Sequence, residues 1–170
     1  MASSQRDEPE GGRLIAGRSR GRRLLATAVV VGVLDIVYAM AFSYWRSGTS
    51  PRRVLQSVAS GALGRDAYAG GLATAALGLA LHFLIALIIT AIFFAVAARV
   101  RALTTQPFII GALYGVVVYL VMNFVVIPLS KIGPRPLPAV IVIVTGLLVH
   151  IFLIGIPIAL GACYHPRRQS

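Results

Sequence analysis

Apolar positions along the chain gather into four long blocks, at residues 24–45, 72–97, 107–128 and 139–163, separated by polar or Pro/Gly-rich pieces. A hydrocarbon core about 30 Å thick needs roughly 20 helical residues to cross it, and each block is long enough. The blocks are continuous rather than alternating, so membrane strands do not fit. Helices satisfy every backbone group within the segment. The pattern predicts an all-α, polytopic membrane protein: a basic tail over residues 1–23, one four-helix transmembrane domain over 24–163, and a short tail over 164–170.

The first connection has structure of its own. Ser50-Pro51 reads as an N-cap followed by a proline at the first helical position. Val54, Leu55, Val58, Ala62 and Leu63 then recur at helical spacing up to Gly64. This predicts a short amphipathic helix over 51–64 at the outer interface, either a staple in the headgroup region or a lid over the bundle. The last connection carries Pro134, Pro136 and Pro138 at alternate positions and should be a stiff, extended spacer. Within the fourth block, Pro157 predicts a kink or early unwinding, because it removes a backbone donor.

Composition narrows the class. Of 170 residues 58% are apolar and 12% charged, against about 45–50% and 25% in a soluble domain. A disordered chain, a disulfide scaffold and an ordinary cytosolic enzyme are excluded, and a single cysteine, Cys163, cannot form an internal bridge. The net charge of +11 initially suggests nucleic acid, but all sixteen basic residues lie outside the apolar blocks. With the N-terminus inside, ten fall on the inner side: Arg6, Arg13, Arg18, Arg20, Arg22, Arg23, Arg99, Arg101, Arg167 and Arg168. Six fall outside, so the bias places both termini in the cytoplasm. The inner arginines are headgroup and topology residues, and nucleic acid is not an expected partner.

Each block also carries a row of small or polar residues at four-residue spacing, the means by which helices pack in lipid. The rows include Ala28 and Gly32, then Thr74, Gly78, His82, Ala86 and Thr90, then Gly111, Gly115, Tyr119 and Asn123, and finally Gly146 and His150. Gly32, Gly78, Gly111, Gly115 and Gly146 are the expected packing glycines. On or beside these rows stand three ionisable residues near the membrane centre: Asp35, His82 and His150. A carboxylate there costs about 2.5–3.5 kcal/mol on insertion scales, so it should face the bundle interior. Tyr38, Thr90, Tyr119, Asn123 and Thr145 could complete a network around it. The cluster reads as structural glue, as a proton or ion relay, as a pair of axial histidines for haem or another tetrapyrrole, or as a two-His, one-Asp metal site.

No nucleophile elbow, phosphate loop, dinucleotide fingerprint or zinc-protease motif occurs, and no enzymatic activity is expected. Gly111-Ala112-Leu113-Tyr114-Gly115, Met122-Asn123, Pro128-Leu129-Ser130, His150 and Gly155-Ile156-Pro157 resemble the four-span bacterial inner-membrane proteins of the YagU-like group. That resemblance implies an inner-membrane location and a histidine in the second and fourth spans, but no reaction, substrate or cofactor. The expectation is a non-enzymatic accessory or structural component in contact with the lipid bilayer, homo-oligomeric or bound into a larger membrane complex. The alternatives are a small transporter or proton/ion-conducting protein using Asp35, His82 and His150, and a tetrapyrrole-binding protein.

Overall fold

The computed structural model describes residues 8–134, 136 and 138–163, with side chains from residue 17 onward. Expectations for Arg6, Arg135, Arg167 and Arg168, and for the side chain of Arg13, lie outside this description. The described residues form helices and no strands. Four helical stretches are long and apolar enough to cross a membrane: Gly17–Ser47, Gly71–Ala97, Pro107–Leu129 and Val140–Cys163. Only 17% to 28% of the residues in their most apolar windows are buried in the protein. The outward remainder is Leu, Val, Ile and Phe, a surface that lipid solvates and water does not. The chain is a multi-pass membrane protein. Four spans put the start of the first and the end of the last on one face, called here the near face, with the far face opposite.

The first span belongs to a longer helix, Glu8–Ser47, so the chain ahead of the membrane continues as helix. Arg is a good helix former, and extending an existing helix costs far less than nucleating one. On the far face a short helix, Pro51–Leu63, begins as its sequence signals predict, with the Ser50 hydroxyl accepting from Arg53 N at 3.4 Å. It ends where Gly64 takes φ +67°. This helix leans onto the second span instead of laying its apolar side in lipid. Val54 and Ala59 are buried, and Gly78 receives the Leu55 carbonyl, a contact that leaves no room for a side chain. Gln56, also buried, donates to Gly71 O at 3.0 Å, and Lys131 N bonds to Gly61 O at 2.9 Å, tying the helix to the far ends of spans two and three.

Within the bundle the tight packing lies towards the near face. Val31, Phe93, Phe94, Val118, Ile154, Ile158 and Ala159 form one buried cluster drawn from all four spans. Tyr114 reinforces it by donating from its hydroxyl to Ile89 O at 2.6 Å, joining spans two and three. Spans three and four meet backbone to backbone. A side chain at Gly111 would come within 2.6 Å of Ile156 Cα, one at Gly115 would overlap the His150 carbonyl, and one at Gly155 would overlap Gly111 O. The small-residue rows therefore mark real contacts, since lipid offers no hydrophobic drive to hold more distant helices together.

Pro157 does not unwind the fourth span. Instead His150–Gly155 widens into a π-turn, in which Ile156 N bonds to Ile151 O, and the helix runs on to Cys163. Span three does the same at Met122–Val126, with Ile127 N bonded to Met122 O directly ahead of Pro128. A proline lacks a donor and its ring pushes on the carbonyl four residues back, and one extra residue in the turn relieves both.

The glycine contact gives a direct test. Gly115→Ala is expected to cost about 1–3 kcal/mol, as overfilling a packed interior does, read as a lower thermal midpoint in detergent. Gly21→Ala, where nothing lies within 4 Å, should not lower it. Equal midpoints for the two variants would show that the span three–four crossing does not hold the fold.

Candidate functional site: a cavity at mid-membrane

The far half of the bundle is hollow. A cavity of about 400 Å³ lies between all four spans, with Val54, Ser57 and Val58 of the Pro51–Leu63 helix lining its far side. Its floor is Val31, Val118 and Ile154, members of the near-face core. Asp35, His82 and His150 all line it, together with Tyr119, Asn123 and Ser43. The remaining lining is mostly aliphatic.

Helix rise places the three ionisable groups at one depth. Asp35 is twelve residues from Ser47, His82 eleven from Gly71 and His150 ten from Val140, or about 15–18 Å at 1.5 Å per residue. Asp35 shares the cavity wall with both imidazoles. No donor among the described residues hydrogen-bonds its carboxylate. Each histidine is instead held by a backbone carbonyl: His82 Nε2 lies 2.8 Å from Gly32 O, across to the first span, and His150 Nδ1 lies 2.8 Å from Gly146 O in its own helix. A carbonyl only accepts, so those nitrogens carry the protons. That leaves His82 Nδ1 and His150 Nε2 as proton acceptors, and these would be the ligating atoms for a tetrapyrrole.

Glycines determine where the imidazoles stand. Gly32 makes room for the Phe83 ring, which would lie 2.7 Å from a side chain there, and its own carbonyl takes the His82 bond. Gly115 admits the His150 backbone. Gly146 leaves space for Tyr119, whose ring packs edge-on against His150 with centroids 5.2 Å apart.

The other polar residues divide. Tyr119 and Asn123 join the cavity wall, the Asn123 amide donating to Tyr119 O at 2.9 Å. Thr90 and Thr145 turn back onto their own helices, donating to Ala86 O at 2.7 Å and Ile141 O at 2.6 Å. Tyr38 stacks on Phe42 at 5.5 Å, its hydroxyl buried without a hydrogen-bond partner among the described residues, and it is not among the lining residues. Among the described residues no three His, Cys, Asp or Glu side chains are grouped to hold a metal ion.

Two features of the site escaped the reading of the sequence. Ser43 extends the stripe Val31, Asp35, Ala39 at four-residue spacing, and all four line the cavity. Spans two and four also share a short internal repeat, Gly78-Leu79-Ala80-Leu81-His82 and Gly146-Leu147-Leu148-Val149-His150. Both spans run from the far face to the near face, so the repeat sets the two imidazoles at matching depths.

No family model, curated protein or solved structure matches the chain.

The lining predicts a labelling pattern. In a Cys163→Ala background, Ser43→Cys and Ser57→Cys should react with a membrane-impermeant maleimide applied at the far face. Thr90→Cys, at a position with 0% exposure, should not. An inert thiol at Ser43 would show that the cavity is sealed from that side.

Proposed function

We propose that the protein is a small proton-conducting membrane protein in which Asp35, His82 and His150 form a relay at mid-membrane. The observation that supports this reading is the meeting of a carboxylate and two imidazoles from three spans on the wall of one cavity. A carboxylate in hydrocarbon is costly and is normally paired or hydrogen-bonded. Here, among the described residues, it has no hydrogen-bond donor, and each imidazole has one nitrogen anchored on a carbonyl and no hydrogen-bond partner at the other. A neutral imidazole accepts at one ring nitrogen and donates at the other, so such a set can take up and release a proton while its anchored nitrogen keeps the ring in place.

The floor Val31, Val118 and Ile154 is the barrier between the cavity and the near face, and conduction requires water to pass it. We place the protein in a bacterial inner membrane with both termini cytoplasmic, a proposal supported by the excess of arginine at the near-face span ends. The resemblance to the YagU-like group agrees with that location and adds no reaction. The accessory-subunit role expected from sequence has no feature of the fold to select it, whereas the cavity favours the relay.

In proteoliposomes enclosing a pH-sensitive dye, an imposed potential should drive proton entry through the wild-type protein. Asp35→Asn should slow it by about tenfold or more, within the range that loss of a positioned proton-transfer group produces. Val118→Ala, which thins the floor, should speed it. Entry at the same rate in wild-type, Asp35→Asn and protein-free vesicles would overturn the proposal. A Soret band in the purified protein would favour the tetrapyrrole alternative.

A further inference from the structure

A second cavity, of about 490 Å³, opens at the near face, on the other side of the Phe93–Phe94–Ile158–Ala159 core. Three arginines line it: Arg20 and Arg23 from the helix leading into span one, and Arg101 from the turn between spans two and three. Phe94, Ala97, Ala98 and Ala162 supply its apolar wall. Arg20 is already engaged, its Nη2 donating to Phe94 O at the end of span two. Arg23 is not. Its Nε and Nη1 are buried and have no hydrogen-bond partner among the described residues.

Among the described residues the charge around this cavity is also uncompensated. None of the lining residues is acidic. Glu8 and Glu10 lie ten or more residues before Arg20 in the same helix, Asp35 lies twelve after Arg23 and Asp66 belongs to the far face, while residues 164–170 contain no Asp or Glu. Ten helical residues span about 15 Å, beyond the Debye length of roughly 8–10 Å. A guanidinium with two buried, unpartnered N–H groups is an expensive arrangement unless an anion from outside the chain completes it. The hydroxyls of Thr104 and Thr105 do not serve as donors, since both are spent on the carbonyls of Arg101 and Ala102 at 2.8 Å. Recognition therefore falls to the guanidiniums, whose planar forks match the oxygens of a phosphate two at a time.

We propose that this cavity is a binding site for a phosphate group, held by Arg23 with Arg20 and Arg101. The depth suits such a group: Arg23 directly precedes the first apolar residue of span one, Leu24, and the cavity is basic at its mouth and apolar along its wall. The phosphodiester of an anionic lipid sits at this level with its acyl chains against the helices. Free phosphate offers the same chemistry without the tails. This site is separate from the mid-membrane cavity, and it stands or falls independently of proton conduction.

The test is native mass spectrometry of the full chain released from detergent, after incubation with phosphatidylglycerol, with phosphatidylcholine or with inorganic phosphate. Wild-type protein should retain phosphatidylglycerol about tenfold more than phosphatidylcholine, the preference several guanidiniums confer at a membrane surface. Arg23→Gln should lose that preference, and Arg52→Gln, exposed on the far face, should keep it. Retention of phosphatidylglycerol that millimolar phosphate does not displace assigns the site to lipid. Retention of phosphate without lipid preference assigns it to the free anion. Equal retention of both lipids and no bound phosphate in the wild-type protein overturns the proposal, whatever the stability of the Arg23 variant. So does an Arg23→Gln protein that remains folded and keeps the wild-type preference.

Discussion

Everything in this molecule depends on how closely two backbones can approach where glycine removes the side chain. Water drives soluble helices together, but hydrocarbon gives apolar side chains no comparable reason to leave it. What remains is short-range contact, which falls away within a fraction of an ångström of separation. Gly111, Gly115 and Gly155 let spans three and four close to such contact, and Gly78 does the same for the far-face helix. The three ionisable groups inherit their positions from these approaches. His150 stands at the crossing itself, and His82 reaches a carbonyl that belongs to a glycine.

The packing also explains the division between a solid half and a hollow half. Large buried side chains, Phe93, Phe94 and Ile158, fill the near-face interior. In the far half the third and fourth spans carry Gly146, Asn123 and Tyr119 where a filled core would need bulk, and the Pro51–Leu63 helix lines the far side with Val54, Ser57 and Val58. Two cavities of similar size thus lie on opposite sides of one aliphatic and aromatic plug. Their chemistry differs: one carries a carboxylate and two imidazoles within an apolar wall, and the other only guanidiniums as charged groups.

Much of this was legible in the chain. Continuous apolar runs admit one solution in lipid, so four helical spans followed, although the first helical stretch begins at Gly17, ahead of the apolar run that opens at Leu24. Ser50, Pro51 and Gly64 marked the far-face helix because capping chemistry is local. The inward rows were readable from four-residue spacing, and they brought Asp35, His82 and His150 to one wall. What spacing could not convey is which groups a side chain meets across helices. Thr90 and Thr145 share the depth of the cluster yet satisfy themselves within their own turns, as hydroxyls in helices commonly do. The histidines likewise bond to carbonyls, His82 across to Gly32 and His150 within its own helix to Gly146. The cluster of Arg20, Arg23 and Arg101 was invisible as a site because its members are far apart in sequence, and each alone reads as a topology marker.

The π-turns at Met122–Val126 and His150–Gly155 carry a consequence of a different kind. An α-helix advances 100° per residue, so one surplus residue wound into a turn sets everything beyond it about 100° out of phase. Both surpluses are pinned on one side by a proline that has no N–H with which to restore the ordinary ladder. In the fourth span the change of phase falls at His150. Before it, Gly146 looks onto Tyr119 and the hollow; after it, Gly155, Ile158 and Ala159 are turned inward and buried. The angular phase of a single helix thus switches at the membrane centre, and with it the span passes from lining an open chamber to filling a closed one.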